Sequence, residues 1–137
     1  MDSDESGTVA PPISPEREAA IGEARQLAVA LAAAGLEHKA QNVEIIDVVG
    51  KVDYTDFVVV MSGRSDRHVS SLTRNVAEDV RKAKGVKPLS LEGLPQASWV
   101  LMDFGDVIVH LFHGDTRGYY DLESLWIDAP RVSLPSV

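Results

Sequence analysis

With 137 residues, 45% of them hydrophobic and 25% charged, the chain has room for one domain with one sizeable core. A net charge of −8 disfavours binding built on phosphate contacts, direct DNA binding included, and favours a basic partner surface. The absence of Cys excludes disulfides and thiolate chemistry and removes the usual structural zinc ligands.

The longest apolar runs fall far short of the roughly 20 residues that span a bilayer, so no membrane is expected among the partners. The N-terminus has no basic and apolar leader and is too acidic for an organellar transit peptide. These features together predict a soluble, cytoplasmic protein.

Residues 1–17 are acidic, rich in Ser and Pro and nearly free of large apolar side chains, and read as a disordered tail. Within that stretch Ser14-Pro15-Glu16-Arg17 has the form of a helix start, with Ser as N-cap and Pro at the first helical position. Ile21, Ala24, Leu27, Ala28, Leu31 and Ala32 then fall on one stripe at helical spacing, and Gly35 is the expected stop. Val43 to Val49 reads as a strand, with Asp47 an unusual polar residue inside it. After the turn Gly50 to Asp53, Tyr54 to Met61 reads as a second strand whose apolar run marks it as central. Thr55 and Asp56 at its entry suit either a turn cap or a contact.

Ser62 to His68 opens a second helix, Arg67 to Ala83, with Ser65 or Asp66 as N-cap and Val69, Leu72, Val76 and Val80 as its buried stripe. Its single Gly and acidic cap make the loop a poor phosphate cradle. Pro88 keeps the short strand after Gly85 at an edge, or sits at the start of that strand. Residues 114–126 read as a last helix, with Tyr119, Leu122 and Trp126 on one side, and Asp128-Ala-Pro130 stops it. The order α-β-β-α-β-β-β-α predicts a mixed α/β sheet with helices mainly on one face, in a domain of residues 18–130 with a frayed end at 131–137.

Between the short strand and the last helix lies the stretch around which the chain is organised. Ser98 to Asp103 and Asp106 to Phe112 read as a hairpin turning at Phe104-Gly105, which pairs Asp103 with Asp106 and Trp99 with His110. Alternation puts Val100, Met102, Val107, Val109 and Leu111 on a wholly apolar core face. The other face carries Trp99, Leu101, Asp103, Asp106, Ile108, His110 and Phe112. That mixture fits neither a solvated face nor a second core, so it reads as a contact surface or as a face covered by a loop or terminal helix of the same chain.

No motif demands an enzyme. His110 and His113 are three apart on a strand and point to opposite faces, so they cannot chelate one ion, and neither metal nor cofactor is expected. Asp103 and Asp106, joined by Asp47 or Asp56, could hold Mg²⁺ in a nucleotidyl-transfer site, although no nucleotide cradle accompanies them. Ser62, Ser65 and His68 lack the third group that would orient the imidazole of a triad.

Five blocks occur together: Val43-Glu-Ile-Ile-Asp-Val, Thr55-Asp-Phe-Val-Val-Val-Met-Ser-Gly, Arg67-His-Val, the Trp99 to His113 hairpin, and Tyr120-Asp-Leu-Glu-Ser-Leu-Trp126. In this order, over about residues 18 to 130, the chain resembles the ribosomal silencing factor family RsfS, also called Iojap. The resemblance implies a fold related to nucleotidyltransferases without transferase activity. It also implies binding to the fourteenth large-subunit ribosomal protein, a steric block to subunit joining, lowered translation under starvation and a part in large-subunit assembly. A homodimer of the free protein is a further implied partner. The family's contact includes the Trp found here at Trp99, which gives Trp99, Leu101, Asp103, Asp106, Ile108 and His110 as the expected partner-binding residues.

Overall fold

The computed structural model describes residues 13–135, so the disordered tail expected before residue 13 lies outside the described residues. Helix α1 (Pro15–Glu37) begins as its sequence requires, the Ser14 hydroxyl accepting from the Arg17 N–H at 3.0 Å. Pro15 to Arg17 are therefore helical rather than part of a tail.

By length and composition alone α1 would pass for a membrane span. Its stripe Ala24, Ala28, Leu31 and Ala32 is instead buried in the core. The helix also runs past Gly35. A Cβ on Gly35 would lie 2.7 Å from the Met61 Sδ, so this glycine allows close helix–sheet approach and does not end the helix.

Strands β1 (Gln41–Asp47), β2 (Phe57–Gly63), β3 (Ser90–Glu92), β4 (Trp99–Asp103), β5 (Val107–His113) and β6 (Arg131–Val132) form one sheet in the order β3-β4-β5-β2-β1-β6. The β2–β5 pair is parallel and the other pairs are antiparallel. All residues of β2 are buried, as its uninterrupted apolar run predicts for a central strand. Between β2 and β3, helix α2 (Asp66–Lys84) is capped by the Ser65 hydroxyl on the His68 N–H and closed by left-handed Gly85.

Both long helices pack on one face, where Val69, Leu72, Val76 and Val80 meet Val100, Met102, Val109 and Leu111. The mixed α/β class is as expected, with two corrections at the C-terminus. Arg131 and Val132 are not frayed but pair with Ile46 and Ile45 as the β6 edge strand. The last helix is not continuous. Helix α3 (Gly114–Tyr120) ends at Asp121, whose φ of 47° is left-handed, and a short 3-10 turn (Leu122–Trp126) follows in a new direction. This reversal brings Trp126 and Ala129 over Ile46, Val48, Val58, Val60 and Phe112, covering half of the second sheet face. Tyr119, expected beside Trp126 on a helix stripe, stands 83% exposed.

Candidate functional site

The β4–β5 hairpin has the predicted faces with a different register. Trp99 pairs with Phe112, Leu101 with His110 and Asp103 with Ile108, and the turn is closed by the Phe104 N–H on the Val107 carbonyl at 2.8 Å. The turn residues are thus Gly105 and Asp106, not Phe104 and Gly105. Gly105 takes a φ of 90°, and its N–H is held by the Asp103 carboxylate at 2.7 Å. A slip of two residues leaves side-chain parity unchanged, so Val100, Met102, Val107, Val109 and Leu111 remain core. Asp106, however, leaves the strand and its face. Its side chain lines a cavity with Glu23, Lys84 and Phe104 beside the helices.

On the second face Trp99, Leu101 and Asp103 are half-buried. Ile108 and His110 lie on the same face but are each only 8% exposed, because β5 is an interior strand. Of the six expected contact residues, then, three form the accessible part, two lie beneath it, and Asp106 is elsewhere.

The Trp99 indole stacks on Phe112 at 4.9 Å between ring centres and touches Tyr120 at 4.6 Å. Its N–H donates to His110 Nδ1 at 3.0 Å. That bond requires a neutral imidazole protonated at Nε2. Burial pushes the His110 pKa down to about 4, with the Glu123 carboxylate pulling weakly the other way.

The folded state therefore resists a proton that the unfolded chain accepts near pH 6.5. Stability is full above that pH and falls as the pH drops toward 4. Between pH 7.5 and 4.5 the His110 contribution to the loss is about 2–3 kcal/mol, by linkage at 1.36 kcal/mol per unit. Urea melts of the wild type and His110→Asn at the two pH values check this, since the variant should lose less on acidification. An equal pH dependence in both proteins would contradict it.

The residue that sequence reasoning missed is Arg117. It is 8% exposed and donates from Nε to Glu123 at 2.7 Å, and from Nη1 to the Ser62 hydroxyl at 2.9 Å and the Asn42 carbonyl. The Asn42 carbonyl lies at a bulge in β1, where the pairing register shifts between Gln41 and Glu44. Arg117 thus ties α3 and the 3-10 turn to β1 and β2. Residues 117 and 123 would not share a face of one continuous helix, so no spacing rule could pair them.

The other chemical candidates are dispersed. Asp56 is held by Arg17, with Nη1 to Oδ2 at 2.9 Å, which makes it an inter-element tie rather than a turn cap or a contact. Asp47 accepts from the Val49 N–H at 3.0 Å and lies 3.4 Å from Arg25. Among the described residues no group of His, Asp and Glu gathers to hold a metal ion. His68 accepts from the Arg64 N–H at Nδ1 and faces the His38 carbonyl at Nε2, both at 3.0 Å, so backbone contacts fix its tautomer. Ser62 accepts from Arg117 and Ser65 caps α2, and since both ring nitrogens of His68 face backbone groups, the imidazole bonds neither hydroxyl.

The family described as ribosomal silencing factor during starvation, RsfS, matches residues 21–137. A ribosomal silencing factor RsfS from Halalkalibacterium halodurans is 41% identical over 101 residues, covering 74% of this chain and 86% of that protein. A mouse protein named for mitochondrial assembly of the ribosomal large subunit is 30% identical over 92 residues, covering 66% of this chain and 40% of its own length. A crystal structure from Chromobacterium violaceum superposes with a TM-score of 0.70 at 31% identity, covering 85% of this chain and 93% of the other.

Proposed function

We propose a function from one premise: this chain belongs to the RsfS family, the ribosomal silencing factors during starvation. It acts as a binding protein without catalysis, docking on the large ribosomal subunit through that subunit's fourteenth protein. So placed, it holds the small subunit off and represses translation in the cytoplasm. One observation carries this reading. The C-terminal segment caps the β1–β2 half of the second sheet face, while Trp99, Leu101 and Asp103 stay half-accessible along β4, with the exposed rings of Tyr119 and Tyr120 beside Trp99. A net charge of −8 steers such a face toward basic ribosomal protein rather than bare RNA. In the free protein the same face would seat a second copy of the chain. A part in large-subunit assembly is supported by the name of the mouse relative.

Co-sedimentation tests the reading. The protein is expected with free large subunits and depleted from assembled ribosomes, and added protein should slow the joining of purified subunits. Equal occupancy of free subunits and assembled ribosomes would overturn the steric block.

A further inference from the structure

We propose that the recess between β4 and α3 is a subsite for an arginine side chain of the docked partner, a proposal that rests on the binding role given above. The recess has a volume of about 340 Å³ and is lined by Ser98, Trp99, Asp115, Thr116, Tyr119 and Tyr120. Three of its walls are aromatic. Trp99 and Tyr120 lie 4.6 Å apart with planes inclined at 43°, and Tyr119 meets Tyr120 edge-on at 5.0 Å and 86°. Such rings offer electron-rich faces to a cation.

Asp115 and Tyr119 are four apart on α3 and so share the helix face that overlooks Trp99. Asp115 is exposed and pairs with no cation among the described residues, although ion pairs hold Asp56 and Glu123. As the acid in the first turn of α3 it also complements the helix dipole. That role leaves its outer oxygens free to accept.

A planar guanidinium fits this set better than an ammonium. It can stack on the indole or a phenol ring while its N–H fork meets the carboxylate in two parallel bonds. The electrostatics agree, since the chain is strongly acidic and a basic partner brings arginines.

The test has two arms. In the first, N-acetylarginine amide is titrated into the full chain while heteronuclear NMR follows the Trp99 indole N–H, assigned with Trp99→Phe. Citrulline and lysine amides serve as controls. Saturable shifts are expected in the millimolar range with arginine, weaker ones with lysine, and loss of the response in Asp115→Asn. No shift, or equal shifts from citrulline, would overturn the subsite.

In the second arm, Asp115→Asn and Tyr119→Ala should each weaken large-subunit binding about 3- to 10-fold, consistent with one exposed cation–π or charge contact. Asp115→Asn should also flatten the dependence of affinity on salt. Unchanged affinity and salt slope would overturn the partner contact while leaving the wider face intact. If the unaltered chain binds no subunit at all, the binding role itself falls, and the first arm still decides the pocket.

Discussion

Trp99→Ala is expected to weaken large-subunit binding about 30- to 1000-fold, the range for losing an aromatic anchor worth roughly 2–4 kcal/mol at tenfold per 1.4 kcal/mol. The ring is held in place before any partner arrives, by its stack on Phe112, its contact with Tyr120 and its bond to His110. Such preorganisation lowers the entropy cost of binding. The substitution also leaves His110 Nδ1 without its donor, at about 1–3 kcal/mol of folding stability.

Binding must therefore be measured per folded molecule, with denaturant melts alongside. Met102→Ala supplies the contrast. Met102 is on the same strand, fully buried on the helix side, and its truncation should cost about 2–5 kcal/mol of stability through a core cavity. Its folded fraction should bind normally. Should Trp99→Ala bind as well as wild type per folded molecule, the partner surface lies elsewhere.

Arg117→Ala should cost about 2–4 kcal/mol of stability, because it removes the buried member of a partly buried ion pair and leaves the Glu123 carboxylate and two hydrogen-bond acceptors without their donor. Without the guanidinium, the Glu123 carboxylate, the Ser62 hydroxyl and the Asn42 carbonyl lose their shared donor. Arg117→Lys keeps the charge but not the fork, so it should fall between wild type and Ala. Pairing Arg117→Ala with Glu123→Gln should recover part of the loss, since a neutral amide is cheaper to leave buried than a carboxylate. A loss under about 1 kcal/mol for Arg117→Ala in urea melts would show that the network does not hold the C-terminal segment to the sheet.

The sequence by itself determined the features that depend on residues close together along the chain. Alternation through Trp99 to Leu111 separated the apolar face from the mixed one, because successive strand side chains point to opposite sides. Ser14 and the pair Ser65-Asp66 marked two helix starts, and of that pair it is Ser65 whose hydroxyl accepts from the N–H three residues on, as Ser14 does. The apolar run of β2 announced a strand covered on both sides, and the five blocks of residues pointed to the family to which the chain belongs.

What tertiary structure decided is of another kind. A two-residue slip of the hairpin leaves the face pattern unaltered, so alternation could not place Asp106, and the turn closed by Phe104 and Val107 removed it from the contact face. The left-handed residue Asp121 turned an expected single helix into two pieces. That turn made the Arg117–Glu123 pair. Gly35 read as a helix stop until Met61 of a distant strand occupied the space where its Cβ would stand. For Gly35 the deciding partner is remote in sequence, and for the hairpin and Asp121 the pattern of side chains along the chain is the same for both alternatives, so only the packed chain selects between them.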